Sequence, residues 1–128
     1  MMEPKNNAAI TILTSTLLDD SPTSATSDSA NCSAYTKFGL FIDVTSTGVG
    51  AHTLDLQVQF SNDGGTTWFD YVDGPFSNLS YEDVATAAGI KEILTGECPG
   101  RLFRVTATGN STSSSLKFTV LLHVIFYK

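Results

Sequence analysis

Few residues in this chain are suited to chemistry. It has two cysteines, two histidines and seven lysines and arginines together. Cys32 and Cys98 stand alone, without the C-x-x-C spacing of zinc or redox motifs. They read as two buried free thiols, since a disulfide would need neighbouring strands that spacing alone does not supply. Seven basic against thirteen acidic residues give a net charge of −6 and a pI near 4.5. That balance argues against a nucleic-acid partner, which is held by clustered Lys and Arg neutralising phosphate. The basic residues are also scattered and not interleaved with aromatics. No run reaches the roughly 18 to 20 apolar residues of a membrane helix, because the longest is interrupted by His123 and ends at Lys128. Residues 1–20 lack an apolar leader core and a cleavage site, so the chain is expected to be mature from its start and soluble. His52 precedes a strand and His123 lies on a half-apolar strand face, so neither is set beside a nucleophile as a general base. No catalytic residue, cofactor or metal is expected, and the chain is read as not an enzyme.

What the sequence does contain is β-forming. Hydrophobic residues make up 41% and charged ones 16%, the balance coming largely from Ser, Thr, Gly and Asn, which favours strands over helices. The length suits one domain with one core. Strands are predicted at residues 8–18, 37–45, 54–60, 67–72, 90–94, 102–108 and 116–127, with 76–89 as a loop. Residues 19–29 are either a long loop or a polar edge strand near 25–29. Residues 37–45 and 54–60 are read as one hairpin, and 54–60 with 67–72 as a second. The fold class that follows is all-β, an antiparallel β-sandwich or jelly roll of about eight strands. Residues 1–29 would be an N-terminal arm or edge strand with a polar segment, and residues 30–128 the sandwich.

The last strand is the most informative. Leu116, Phe118, Val120, Leu122, Val124 and Phe126 fall on one face of a segment about 40 Å long if extended. Burying them would contribute about 9 to 18 kcal/mol as an upper figure. The opposite face carries Lys117, Thr119 and His123, but also Leu121, Ile125 and Tyr127. A face this apolar needs cover from a second sheet, a neighbouring subunit or a host surface. Leu121, Ile125 and Tyr127 are therefore the candidate interface residues, with a homotrimer as the expected assembly.

Ser61-Asn-Asp-Gly-Gly-Thr-Thr-Trp68 is the clearest motif. It matches the Asp-box pattern S-x-D-x-G-x-T-W, which is similar to the hairpins of sialidases and other β-propellers. The pattern is structural: Asp63 accepts turn N–H groups, Gly65 takes a positive φ and Trp68 packs beneath the hairpin. One copy is too few for a propeller, so no sialidase activity follows. Asp63, Asp70, Asp73, Glu82 and Asp83 cluster here without the D-x-D-x-D-G spacing that wraps calcium, and read as solvated loops. Asn31, Asn78 and Asn110 begin N-x-S/T sequons, which matter only in a eukaryotic secreted chain.

The stretch from Leu54 to Trp68, with Phe41-Ile-Asp-Val-Thr45 before it and Arg101-Leu-Phe-Arg-Val105 after it, resembles small virion proteins of tailed bacteriophages, of the capsid decoration or cement type. The resemblance implies a homotrimer on the capsid surface of the virion, assembled in the host cytoplasm and bound to the major capsid protein through protein–protein contacts. The N-terminal arm would make part of that contact. The alternative is a carbohydrate- or receptor-binding β-sandwich module of a phage tail or a secreted glycosidase, with Trp68 and Tyr71 against the sugar.

Overall fold

The computed structural model describes residues 9–18, 24–47, 52–82, 89–111 and 117–128. Ten strands are described: β1 (Ile10–Leu18), β2 (Ser24–Thr26), β3 (Ala30–Asn31), β4 (Lys37–Thr47), β5 (His52–Ser61), β6 (Phe69–Asp70), β7 (Leu79–Glu82), β8 (Ile90–Glu97), β9 (Leu102–Ser111) and β10 (Lys117–Tyr127). A short 3-10 turn, Gly74–Ser77, lies before β7.

Every pairing is antiparallel, and the strands form two sheets. The first, sheet A, runs β1-β10-β4-β8. In sheet B, β9 and β5 form the centre. The short strands β2 and β3 share the outer side of β9, and β6 and β7 share the outer side of β5. The ten strands thus occupy eight positions, four to a sheet.

Alternation decides which side chains go inside. Phe38, Leu40, Ile42 and Val44 of β4, with Phe118, Val120, Leu122, Val124 and Phe126 of β10, are buried from sheet A. Leu54, Leu56, Val58 and Phe60 of β5, with Phe103, Val105 and Ala107 of β9, face them from sheet B. Two sheets with one apolar face each bury both by stacking, and the result is an all-β sandwich. One end of the core is aromatic, with the Phe38 ring 5.0 Å from Phe103, 5.4 Å from Phe76 and 5.8 Å from Phe60 between centroids.

Several expectations need correction. β4 and β5 are not a hairpin: β4 pairs with β10 and β8 while β5 pairs with β9, so the chain crosses between sheets after residue 47. Gly-rich turn chemistry reports a change of direction and not which sheet receives the next strand. The second hairpin forms, though briefly, with Gln59 opposite Asp70 and Phe60 opposite Phe69. The loop expected over 76–89 contains β7, whose Leu79 and Tyr81 are buried. Tyr81 donates its hydroxyl hydrogen to Glu92, a link from an edge of sheet B to an edge of sheet A. At the N-terminus, β1 lies along β10 and β2 along β9, and Ile12 and Leu13 are buried in the common core. Within the described part of residues 1–29, β1 and β2 are edge strands of the two sheets; residues 1–8 and 19–23 lie outside the described residues, and so do Ala8 and Leu116, with which two of the expected strands begin.

Candidate functional site

The Asp-box segment forms a closed turn between β5 and β6. The Ser61 side chain is fully buried, and its hydroxyl donates to Asp63 at 2.8 Å while accepting the Gly65 N–H at 3.0 Å. The Asp63 carboxylate accepts the N–H groups of Thr67 at 2.8 Å and Thr66 at 3.1 Å. Gly64 and Gly65 have φ of 75° and 94°, a region that costs other residues free energy. The Trp68 indole N–H donates to the Gly65 carbonyl at 3.0 Å. Hydrogen bonds from the Thr67 N–H, the Thr67 and Ser61 hydroxyls and the Thr66 N–H hold the Asp63 carboxyl down to about 2. The three residues singled out in this motif, Asp63, Gly65 and Trp68, are thus all occupied in shaping the turn.

Beside the turn, the outer face of sheet B is a hydrogen-bonded polar surface. Thr53, Asp55, Gln57 and Gln59 of β5 alternate outward, as do Arg104, Thr106 and Thr108 of β9 and Ser24 and Thr26 of β2. Arg104 donates from Nε to Gln59 at 2.8 Å, and Gln59 donates to Asp70 at 2.9 Å. The Arg104 guanidinium also sits 4.1 Å from the Trp68 ring centroid, a cation–π contact. One face of that ring is therefore taken up by the protein itself.

Sheet A presents a different outer face. Register places Thr11, His123, Phe41 and Ile93 in one row across all four strands. On one side of it lie Ile125, Gly39 and Thr95, and beyond them Tyr127, Lys37 and Glu97. On the other side lie Leu121, Asp43 and Lys91, the last two joined by an ion pair at 2.9 Å. Phe41, Leu121, His123, Ile125 and Tyr127 are half-buried, and Ile93 is 57% exposed. Phe41, Asp43, Lys91, Ile93, Leu121 and His123 line a shallow open groove of about 300 Å³. Ile125 leans over Gly39, where a Cβ would lie 3.2 Å from its Cγ2.

All three expected interface residues, Leu121, Ile125 and Tyr127, are on this face, and sheet B covers only the opposite row of β10. The second-sheet explanation for their apolarity is thereby removed. Phe41 and Ile93 complete the surface. Ile93 was not singled out from the sequence, although Lys91, Ile93 and Thr95 alternate on a short strand. Of the acidic cluster, Asp63 is turned into its own turn and Asp70 toward Gln59, while the Glu82 side chain and Asp83 lie outside the described residues. Among the described residues no three His, Cys, Asp or Glu side chains come together to hold a metal ion, and no helix is long and apolar enough to cross a membrane. No protein-family model and no curated protein sequence matches the chain.

Proposed function

We propose that this chain is a structural virion protein of the capsid decoration or head-fibre type, which assembles with copies of itself through the outer face of sheet A and stabilises a capsid by binding the major capsid protein. The observation that carries the reading is the contrast between the two outer faces. Sheet B turns a polar, internally hydrogen-bonded surface to solvent, whereas sheet A turns out Phe41, Ile93, Leu121, Ile125 and Tyr127. In a lone domain both outer faces would be expected to be polar. Four strands about 4.8 Å apart and about 33 Å long give this face an area on the order of 600 Å², near the roughly 800 Å² per partner of a standard interface. A ring of three copies covers such a face without leaving an open end for further growth.

The winding of the chain also supports a virion role. Taking β2 with β3 and β6 with β7 as single edges, sheet orders of β1-β10-β4-β8 and β2/β3-β9-β5-β6/β7 favour reading the sandwich as a jelly roll. That architecture recurs in viral capsid and lectin domains, so by itself it favours a class and not a partner.

Sedimentation of the wild type and of Ile93→Asp tests the proposal, since Ile93 is exposed enough for the variant to fold. A trimeric wild type, a dissociated variant with an unchanged urea midpoint, and binding of the wild type to empty capsids are expected. A monomeric wild type at high micromolar concentration, or an intact trimer in the variant, overturns it. A second reading, a carbohydrate-binding module, is favoured by Phe69 at 62% and Val72 at 59% exposure beside the Asp63 turn. Quenching of Trp68 fluorescence by glycans, in a protein that stays monomeric, would select it.

A further inference from the structure

The two cysteines, 66 positions apart, meet. Cys32 follows β3 on the crossover from sheet B to sheet A, and Cys98 follows β8 on the crossover from sheet A back to sheet B. These crossovers run side by side: the Cys32 N–H donates to the Arg101 carbonyl at 2.8 Å and the Cys98 N–H to the Thr36 carbonyl at 2.9 Å. Both bonds continue ladders, since β3 pairs with β9 just before Cys32 and β4 pairs with β8 just after Thr36. The segments from Ala30 and from Phe103 thus form one antiparallel ribbon that turns the corner of the sandwich, with both thiols inside the bend.

The Cys32 side chain is fully buried, and its thiol reaches the Gly100 carbonyl at 3.4 Å. Cys98 is partly buried against the same core. Each thiol is the other's hydrogen-bond partner. That bond holds the Cys32 thiol below its ordinary range, while the same bond and burial push Cys98 up.

We infer that Cys32 and Cys98 are a redox modification site, oxidised by small-molecule disulfides such as oxidised glutathione to an intrachain bond that staples the two sheets at this corner. The reaction is thiol–disulfide exchange. Cys98, the more accessible of the two, attacks one sulfur of the oxidant from its deprotonated fraction; the oxidant's S–S bond breaks, and one glutathione leaves and takes up the Cys98 proton. The Cys32 sulfur then attacks the Cys98 sulfur of the mixed disulfide. The second glutathione leaves with the Cys32 proton. The protein dithiol loses two electrons and two protons, and the oxidant becomes two thiols. The new bond joins the ends of a long loop that contains β4 to β8, and loops of that length restrict the unfolded chain most.

The test uses the wild-type protein incubated with oxidised glutathione, then denatured, titrated for free thiols and weighed intact. Loss of both thiols, a mass lower by two hydrogens, a Cys32–Cys98 cross-linked peptide and a urea midpoint raised above that of the reduced protein are expected. The midpoint shift should vanish in Cys98→Ser. Two thiols still titratable after incubation, a product that keeps one glutathione, or a cross-link between two chains overturns the inference. None of these readouts depends on oligomeric state or capsid binding, so this inference and the proposed function stand or fall separately.

Discussion

Replacing Gly96 by alanine adds one methyl group where the core has no room for it. Gly96 lies on β8 opposite Phe38, on the side that faces sheet B. A Cβ there would lie 2.8 Å from Cε1 and Cζ of Phe38 and 3.1 Å from the Tyr71 hydroxyl. Phe38 cannot withdraw, since it is fully buried and ringed by Phe103, Phe76, Tyr71 and Phe60 at 5.0, 5.4, 5.7 and 5.8 Å. Tyr71 is held in turn, its hydroxyl accepting the Glu97 N–H at 3.1 Å. Overfilling a core site of this kind costs about 1 to 3 kcal/mol. Alanine offsets about 0.4 to 1 kcal/mol of that by restricting the unfolded chain. The net loss should be about 1 to 2 kcal/mol, which a urea slope of about 2 kcal/mol/M turns into a midpoint lower by roughly 0.5 to 1 M. Urea titration followed by circular dichroism and by Trp68 fluorescence measures it. Adding Phe38→Leu should recover part of the loss, because the two side chains compete for one space. An unchanged or raised midpoint in Gly96→Ala, or strict additivity in the double variant, would refute the packing argument.

Three further outcomes follow from the geometry. The Asp63 carboxyl is held at about 2 against an ordinary 3.8, so its contribution is present above pH 3.8 and lost as pH falls through about 2. Urea midpoints across that window should fall less steeply in Asp63→Asn; because the Thr66 and Thr67 N–H groups are exposed and water can replace the carboxylate, a large loss at neutral pH would contradict this account. Burial, and then the Glu92 carboxylate, push the Tyr81 hydroxyl above its ordinary 10, so stability should be full below pH 10 and decline as pH rises beyond it. Tyr81→Phe should abolish that alkaline decline in thermal melts, and a decline that persists would assign it elsewhere. Ile12 is 2% exposed although it lies on an edge strand, so Ile12→Ala should cost about 2 to 4 kcal/mol by urea titration; a cost under about 1 kcal/mol would mean that β1 contributes little to the core.

The candidate surface is partly legible in the sequence. Alternation along residues 116–127 separates an apolar even row from an odd row that is too apolar for solvent, so Leu121, Ile125 and Tyr127 can be named from one strand alone. Ile93 could not be singled out, because a lone isoleucine between Lys91 and Thr95 is ordinary until register sets it beside Phe41 and His123. Tyr81 and Glu92 were similarly hidden, one in a segment that looked like a loop and the other on the edge of the opposite sheet.

Local rules operate within a few residues, and what they govern is settled by the sequence. The period of two along β4, β5, β9 and β10 determined that these segments are strands and which side chains they bury. Ser61 to Trp68 determined its own turn, because every partner of Asp63 lies within four residues of it. Pairing between strands has no such local signal, since one extended apolar face will stack on any other of similar width. Only the tertiary structure decided that β4 lies between β10 and β8 and not beside β5, that the odd row of β10 faces outward, and that Cys32 meets Cys98. Each of these depends on contacts between segments tens of residues apart, chosen by how two whole sheets close over one core.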